Sequence, residues 1–144
     1  MKRMLVMHGP NLNLTGVREP GVYGTETLED INRRIAAHAE KRGYACDFFQ
    51  SNHEGAIIDR LHAARTEYDG VVLNAGAYTH YSYAIRDAIA AIRLPVIEVH
   101  LSNIHAREEF RHISYAGMAC EKSFIGMGFE GYRAAIQYLT GKQR

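Results

Sequence analysis

Long apolar runs are absent from this sequence. None approaches the roughly 20 residues that a membrane-spanning helix requires. The first residues carry basic charge, but their apolar segment is short and His8-Gly9-Pro10 interrupts it, unlike a signal peptide. The net charge of the 144 residues is only +1, so charge favours neither nucleic acid nor an anionic membrane as a partner. We therefore expect a cytoplasmic protein that binds neither.

Cysteine and lysine are scarce. The two cysteines, Cys46 and Cys120, lie far apart in apolar segments of strand-like character, so we expect two buried free thiols rather than a disulfide. A Schiff-base lysine is not expected, because each lysine lies near a terminus, in the last turn of a predicted helix or at the start of a predicted strand. These lysines are Lys2, Lys41, Lys122 and Lys142.

Histidine is abundant, with eight residues, but its spacing does not suit a metal site. No pair places two histidines on one helix with a third ligand nearby. The pairs considered are His100 with His105, His105 with His112, and His53 with His62. The sequence therefore predicts no metal.

Short apolar segments alternate with helical patterns along the whole chain, without a linker or a repeat, which indicates a single domain over residues 1–144. A capping box at Thr27 and Asp30 begins the first helix, and Gly43 ends it. The predicted strands are residues 4–7, 44–50, 70–74, 95–100 and 122–125. The later predicted helices are residues 54–67, 83–92 and 132–139.

This alternation predicts an α/β fold with a five-stranded parallel sheet covered by helices on both faces. A flavodoxin-like strand order, 2-1-3-4-5, is favoured. Ligands of such sheets bind at the carboxyl ends of the strands, where the order reverses. Strand one leads into Asn11 and Asn13, strand three ends in Asn74, and strand four ends in His100. We therefore expect the site at this edge of the sheet.

The loop after strand one carries Tyr23, with Arg18 five residues upstream. A phenol titrates near ~10, and work as a base near neutral pH needs its pKa lowered by roughly two or three units, or about 3–4 kcal/mol. Nearby guanidinium groups supply such a shift in a dry site, with Arg18, Arg107 and Arg111 as candidates. The alternative is an ordinary exposed loop tyrosine.

His100 is placed to exchange a proton, and Glu98, on the same strand face, can orient its ring. The backbone amides of Leu101 and Ser102 lead towards a short helix and can seat a carboxylate, while Arg111 can clamp an anion. The alternatives are a buried structural imidazole for His100 and a solvated charge for Arg111.

His80 and Asp87 bracket the start of the third helix at a spacing that predicts a shared face, so they can hold opposite ends of a polar ligand. The alternative is a capping histidine and a surface carboxylate.

Residues 126–131 match the G-x-G-x-x-G pattern, but too few residues follow for a second strand and a ribose-binding acid. We expect tight strand-to-helix packing there instead.

The motifs G-P-N-L-N-L and G-x-R-E-P-x-x-Y-G lie near the start of the chain. Together with three later stretches, they resemble the signature of a known family, the type II 3-dehydroquinate dehydratases, over nearly the whole chain. The matching stretches are residues 9–14, 16–24, 73–80, 84–88 and 98–111. Thr15 and Ala75 depart from the usual leucine and proline.

The resemblance implies dehydration of 3-dehydroquinate to 3-dehydroshikimate by anti elimination through an enolate, in the shikimate route or in quinate breakdown. It implies no cofactor and a homododecamer built as a tetramer of trimers. Tyr23 is then the base, Arg18 lowers its pKa, Asn11 steadies the enolate through a water, and His100 protonates the leaving hydroxyl. The implied substrate-binding residues are Asn74, His80, Asp87, Leu101, Ser102 and Arg111.

Two rival classes share the expected architecture. A receiver domain needs paired acidic residues after strand one, where this chain has His8 and Asn11. A flavin or nucleotide binder needs a phosphate loop there, and the Asn-Leu-Asn-Leu stretch is not one. Neither class therefore has its defining residues in this sequence.

Overall fold

A sheet of five parallel strands forms the centre of the computed structural model, which describes residues 2–17 and 25–142. The strand order is 2-1-3-4-5, which confirms the predicted flavodoxin-like arrangement. The strands are β1 (Lys2–His8), β2 (Tyr44–Gln50), β3 (Gly70–Asn74), β4 (Val96–His100) and β5 (Lys122–Ile125). The order reverses between β1 and β3, as a ligand site at their carboxyl ends requires.

Helices cover both faces of the sheet. The α-helices are α1 (Leu28–Lys41), α2 (Glu54–Ala64), α3 (Tyr83–Ile92), α4 (Tyr115–Ala119) and α5 (Glu130–Lys142). Short 3-10 helices lie at Leu12–Leu14, Gly76–His80, Ile104–Ala106 and Glu109–Arg111. Helices α1 and α5 pack on one face, and α2, α3 and α4 pack on the other. No helix of the described ranges is long and apolar enough to cross a membrane.

Alternation along β1 divides the core between the two faces. Leu5 and Met7 pack with α2 and α3, whereas Met4 and Val6 pack with α1 and α5. Every residue of β3 and β4 is buried, as expected for central parallel strands covered on both sides. The last residues of these strands, Asn74 and His100, are polar and lie at the carboxyl edge of the sheet.

The capping box predicted for α1 is confirmed. The Thr27 hydroxyl accepts from the Asp30 amide at 3.1 Å, and the Asp30 carboxylate accepts from the Thr27 amide at 3.2 Å. At the other end Gly43 takes a φ of +82°, which an L side chain rarely adopts, and the chain turns there into β2.

Several predicted boundaries were wrong. Strand β1 is longer at both ends, because its backbone pairing with β2 continues past the apolar residues. Helix α2 ends at Ala64 rather than Glu67, since residues 65–67 form a turn whose amides return to carbonyls of the last helical turn. Strand β4 begins after Pro95, and α5 extends beyond both predicted ends.

Helix α4 was not predicted at all, and it changes the surroundings of one cysteine. Cys120 follows this helix as its C-cap rather than lying in a strand-like segment, whereas Cys46 lies in β2 as expected. Both thiols are free and partly buried. Burial raises the pKa of the Cys46 thiol to about 12, so it is protonated at neutral pH.

A buried histidine, His8, ends β1 beneath α1 and α5. Its Nε2 lies 2.7 Å from Asn32 Oδ1 on α1, and its Nδ1 lies 3.4 Å from the hydroxyl of Tyr132 on α5. Burial lowers the pKa of His8 from 6.5 to about 4, against the opposing effect of the Asn32 hydrogen bond. The ring is therefore neutral near pH 7.

Because His8 is buried as a neutral ring, we expect the free energy of unfolding to fall in mild acid. Between pH 6.5 and about 4 the unfolded chain binds a proton at His8 that the folded chain does not. The neutral His8 ring therefore contributes its full stabilisation above pH 6.5, and this contribution is lost as the pH falls through about 4. The free energy of unfolding is expected to fall by about 3 kcal/mol across this range. Urea unfolding at fixed protein concentration across this range measures it, and His8→Leu is expected to flatten the profile.

The matched control is His62→Gln, which removes an exposed histidine of α2 and is expected to keep the wild-type profile. Equal pH slopes for His8→Leu and the wild type would contradict the assignment.

Candidate active site

A cleft of about 470 Å³, including its part open to solvent, lies at the carboxyl ends of β1, β3 and β4. Its size suits a small-molecule ligand. The structure brings most of the predicted site residues to this cleft: Asn11, Asn74, His80, His100, Leu101, Ser102 and Arg111. The rule that ligands bind at the carboxyl ends of the strands, where the strand order reverses, therefore predicted the position of the cleft. The roles of these residues stay predictions.

Three predicted residues are not placed here. Tyr23 and Arg18 lie outside the described residues. Asp87 lies exposed on α3, 3.6 Å from Arg86, and is not part of the cleft wall. The idea that His80 and Asp87 share one helix face was wrong, because Ser82 caps α3 by accepting from the Ile85 amide at 3.0 Å. His80 belongs to the preceding 3-10 helix instead.

Two glycines let the loops after β1 and β3 form one wall. A Cβ on Gly9 would collide with the backbone carbonyl of Ala75, and the Gly9 amide donates to the Asn74 carbonyl at 2.7 Å. Gly76 has a φ of +60°, and a Cβ there would lie 3.1 Å from the Pro10 carbonyl oxygen. Close backbone contact therefore fixes Asn74 relative to the first loop.

Replacing Gly9 by alanine is expected to destabilise the fold by about 1–3 kcal/mol, because the added methyl meets backbone rather than a movable side chain. Chemical denaturation measures the change. The matched control, Gly55→Ala on α2, meets nothing within 4 Å and is expected to stabilise by about 0.5–1 kcal/mol. Equal effects of the two substitutions would remove the argument for close contact.

His100 ends β4 and pairs with Glu98, two residues earlier on the same strand face. The two side chains are almost fully buried, and His100 Nε2 lies 2.7 Å from Glu98 Oε2. A carboxylate only accepts, so Nε2 carries a proton and Nδ1 is the ring nitrogen that can exchange one with a ligand. The ring is thereby held in a fixed orientation, with Nδ1 as the atom through which it can act on a ligand.

Three hydroxyl groups hold the Glu98 carboxylate. Thr79 donates to Oε2 at 2.9 Å, Ser123 donates to Oε1 at 2.7 Å, and Ser114 also donates to Oε2. Burial alone would raise the pKa of Glu98, but the hydrogen bonds from His100, Ser114 and Ser123 outweigh it and lower this pKa to about 2. Glu98 is therefore a fixed anion behind the His100 ring.

Replacing Glu98 by glutamine removes this charge with little change of volume. A hydrogen bond to a charged group contributes about 1.5–3 kcal/mol, which corresponds to a loss of roughly 10- to 150-fold in kcat if it acts on the transition state. We expect KM to change much less, because Glu98 does not line the cleft. Steady-state kinetics measure both constants.

Glu109→Gln, at an exposed carboxylate of a nearby 3-10 helix, is the control and is expected to leave both constants near the wild-type values. A normal kcat in Glu98→Gln would mean that the His100–Glu98 pair has no role in turnover.

His80 presents a hydrogen-bond acceptor to the cleft. Its Nδ1 lies 2.8 Å from the Ile113 carbonyl oxygen, which can only accept, so Nδ1 carries the proton and Nε2 is bare. Burial lowers the pKa of His80 below its ordinary value, although the Ile113 carbonyl opposes the shift. The ring stacks on His100 with centroids 6.3 Å apart. A neutral His80 ring in this orientation can accept a hydrogen bond at Nε2 from a hydroxyl group of a ligand.

Two guanidinium groups give the cleft its charge. Arg111 and Arg107 both line it, and no carboxylate belongs to the wall formed by residues 2–17 and 25–142. Glu108 lies outside, 3.1 Å from Arg111 Nε, and Arg107 lies 3.4 Å from the Ser102 hydroxyl. The cleft therefore favours an anionic ligand.

The glycine-rich stretch 126–131 packs behind this site. The amides of Gly126 and Gly128 donate to the carbonyls of His100 and Leu101 at 3.0 and 3.1 Å. A Cβ on Gly131 would lie 3.2 Å from the Val99 side chain, so glycine permits close packing of α5 on β4. This agrees with the expected strand-to-helix packing.

Sequence reasoning missed the hydroxyl groups around Glu98. Thr79, Ser114 and Ser123 lie far apart along the chain, and only Ser123 had a usable signal, as the residue that pairs with Glu98 in the register of β4 and β5. Gly117 completes this arrangement, because a Cβ there would collide with the Glu98 carboxylate. The close approach of α4 to β4 is a tertiary feature without a local pattern.

The chain is similar to known proteins along nearly its whole length. The family model described as "Dehydroquinase class II" matches residues 2–140. The chain belongs to this family. A 3-dehydroquinate dehydratase of Bacillus licheniformis is 58% identical over 139 residues, covering 96% of each chain. One of Bacillus pumilus is 55% identical over 142 residues, covering 99% of this chain and 97% of the relative.

The three-dimensional likeness is equally extensive. The crystal structure of a type II dehydroquinase from Butyrivibrio crossotus superposes with a TM-score of 0.94 at 47% identity, covering 96% of this chain and 97% of that one. Membership of the type II dehydroquinases removes the two rival classes, the receiver domain and the flavin or nucleotide binder.

Proposed function

We propose that this protein dehydrates 3-dehydroquinate to 3-dehydroshikimate. The observation that carries the proposal is its identity of 55–58% to proteins named 3-dehydroquinate dehydratase along essentially the whole chain. The proposal includes the predicted cytoplasmic location and a place in the shikimate route or in quinate breakdown, which use the same reaction.

The cleft suits this substrate physically. 3-Dehydroquinate is a small ring with a carboxylate, a ketone and hydroxyl groups, and Arg107 and Arg111 give the cleft a positive charge that attracts the carboxylate. The bare Nε2 of His80 accepts from a hydroxyl, and the Asn74 amide offers a second polar contact. The backbone amides of Leu101 and Ser102 complete the proposed binding site for the carboxylate.

The proposed chemistry is a two-step elimination of water. Tyr23, assisted by Arg18, removes a proton from the carbon beside the ketone, and the electrons of that C–H bond form an enolate. Asn11 steadies the enolate oxygen through a water. His100 then protonates the hydroxyl on the opposite face, its C–O bond breaks, and the electrons return to form the C=C bond and the ketone. No metal, other cofactor or Schiff base takes part.

The assembly we propose is a homododecamer, a tetramer of trimers. Large apolar side chains stand exposed around α3, α4 and the adjoining 3-10 helices, which favours contact with other copies. They are Tyr81, Tyr83, Phe110, Ile113 and Met118. Because Asp87 on α3 is exposed and does not line its own cleft, we expect any contact it makes with substrate to be in the cleft of a neighbouring copy. Sedimentation at twelve times the chain mass of 16.2 kDa tests the assembly.

A continuous spectrophotometric assay for the conjugated enone, started with 3-dehydroquinate, tests the function. We expect turnover that survives a chelator in the buffer and borohydride added with the substrate. Absence of enone formation overturns the proposal. Inactivation by borohydride, or loss of turnover on chelation with recovery on added zinc, overturns the proposed chemistry.

A further inference from the structure

The first two glycines of the stretch 126–131 donate to two successive carbonyls beside the cleft. The Gly126 amide donates to the His100 carbonyl at 3.0 Å, and the Gly128 amide donates to the Leu101 carbonyl at 3.1 Å. The chain bends at Leu101 and Ser102, directly after β4. One turn therefore holds both carbonyls, and both face towards it.

The peptide bonds that contain these carbonyls also contain the amides of Leu101 and Ser102. Both peptide bonds are trans. A planar trans peptide directs its N–H opposite to its C=O. Because the two carbonyls face one turn, the two N–H groups point away from that turn, on the same side of the chain. Successive amides that point to one side form a concave site for an anion.

These two amides are open to a ligand. Leu101 and Ser102 are partly buried and both line the cleft. Within residues 2–17 and 25–142, no backbone or side-chain acceptor binds either N–H. A partly buried amide without an acceptor in the protein takes one from water or from a ligand. The positive charge of Arg107 and Arg111 in the same cleft favours an anionic acceptor.

Glycine is required at positions 126 and 128 for different reasons. Gly126 has a φ of +73°, and a Cβ there would lie 3.0 Å from Asn103 Cβ, so a side chain would separate the turn from the segment after β4. Gly128 has a φ of +57°, but a Cβ there would meet nothing within 4 Å, so only its backbone conformation requires glycine. An L side chain therefore disturbs both residues that donate these hydrogen bonds.

We propose that Gly126 and Gly128 are positioning residues, which hold the His100 and Leu101 carbonyls behind the site so that the amides of Leu101 and Ser102 together face the cleft and bind the substrate carboxylate. The G-x-G part of the stretch 126–131 thereby has a role in binding in addition to packing. The identity of the ligand rests on the proposed function. The arrangement of the two amides does not depend on it.

Gly128→Val changes the backbone preference at a position with open space. A β-branched residue rarely adopts a positive φ, so the amide of residue 128 is expected to leave the Leu101 carbonyl. Losing the hydrogen bond from the Ser102 amide to a charged group corresponds to a factor of roughly 10–150, which we expect as a rise in KM with a much smaller change in kcat.

The matched control is Gly43→Val. Gly43 has a φ of +82° with nothing within 4 Å of an added Cβ, so the backbone strain is comparable. It lies before the first residue of β2, at the sheet edge opposite the cleft. Gly43→Val is therefore expected to keep the wild-type KM. A wild-type KM in Gly128→Val overturns the proposal.

An ester tests the donor itself without backbone strain, and it decides the question if Gly128→Val does not fold. Cys120 allows ligation of a synthetic peptide for residues 120–144 in which glycolate replaces Gly128, so an ester oxygen takes the place of the donating N–H. A lost neutral hydrogen bond corresponds to a factor of about 3–10, expected as a rise in KM. The control is the protein ligated from the all-amide peptide, and equal KM values for the two overturn the proposal.

A binding readout separates this proposal from the proposed function. In protein labelled with ¹⁵N-serine, the Ser102 amide signal is identified by its loss in Ser102→Ala. It is expected to shift with cyclohexanecarboxylate, which carries a carboxylate on a six-membered ring, and not with the uncharged cyclohexanecarboxamide. The shift is expected to persist in Gly43→Val and to be lost in Gly128→Val.

Two results of this titration overturn the proposal. One is an equal response of the Ser102 signal to the carboxylate and the carboxamide, and the other is an equal response of Gly128→Val and Gly43→Val to the carboxylate. A carboxylate-specific shift in a protein that forms no enone supports the two-amide site and refutes the proposed function alone. Enone formation with a wild-type KM in the ester protein refutes the positioning role and leaves the function standing.

Discussion

His100→Gln is expected to lower kcat by about 10²–10⁴-fold, the range that proton transfer by a positioned side chain contributes. The glutamine amide can still donate to Glu98, so the buried carboxylate keeps a partner and the fold is retained. What is lost is the nitrogen that, in the proposed mechanism, delivers a proton to the departing hydroxyl. Steady-state rates of enone formation measure the effect, and thermal unfolding checks the fold.

The expected defect is confined to the second step of the reaction. In the proposed mechanism enolate formation does not need His100, so the variant is expected to continue exchanging the hydrogen beside the ketone with D₂O. His105→Gln, which removes an exposed histidine on the 3-10 helix after β4, is the control and is expected to retain full turnover. Full activity of His100→Gln would remove His100 from the mechanism.

The edge of the sheet where the cleft lies was predictable because β3 and β4 are continuous apolar strands. Within these two buried strands, only the last residues, Asn74 and His100, line the cleft. A parallel sheet brings those ends together, whatever the details of the helices. Sequence and sheet topology were therefore sufficient to predict where the cleft lies.

The arrangement behind the strand ends was not predictable in the same way. Helix α4 is only five residues long and contains Gly117, so it has no apolar period to detect. Its contact with Glu98, like the contact of Tyr132 with His8 across 124 positions of sequence, exists only after the layers pack. The error over His80 and Asp87 has a related cause, since helical spacing was assumed across the Ser82 cap.

Tyr23→Phe is expected to lower turnover by about 10⁴-fold, the upper end of what a positioned base contributes. A hydrogen beside a ketone is weakly acidic, so the base must be strong, yet a phenol with its pKa near ~10 is mostly protonated at neutral pH. In the proposed mechanism, the guanidinium of Arg18 shifts this balance towards the phenolate. Phenylalanine keeps the ring and loses the oxygen.

Isotope exchange distinguishes this variant from His100→Gln. If Tyr23 is the base, as proposed, the variant forms no enolate, so Tyr23→Phe is expected to lose both enone formation and exchange of the substrate hydrogen with D₂O. Tyr138→Phe removes a phenol on α5 and is expected to keep both activities. If Tyr23→Phe still exchanged the hydrogen at the wild-type rate, another group would be the base. Loss of exchange in Tyr23→Phe alone, with turnover lost in both variants, would assign removal of the carbon-bound proton to Tyr23 and protonation of the leaving hydroxyl to His100.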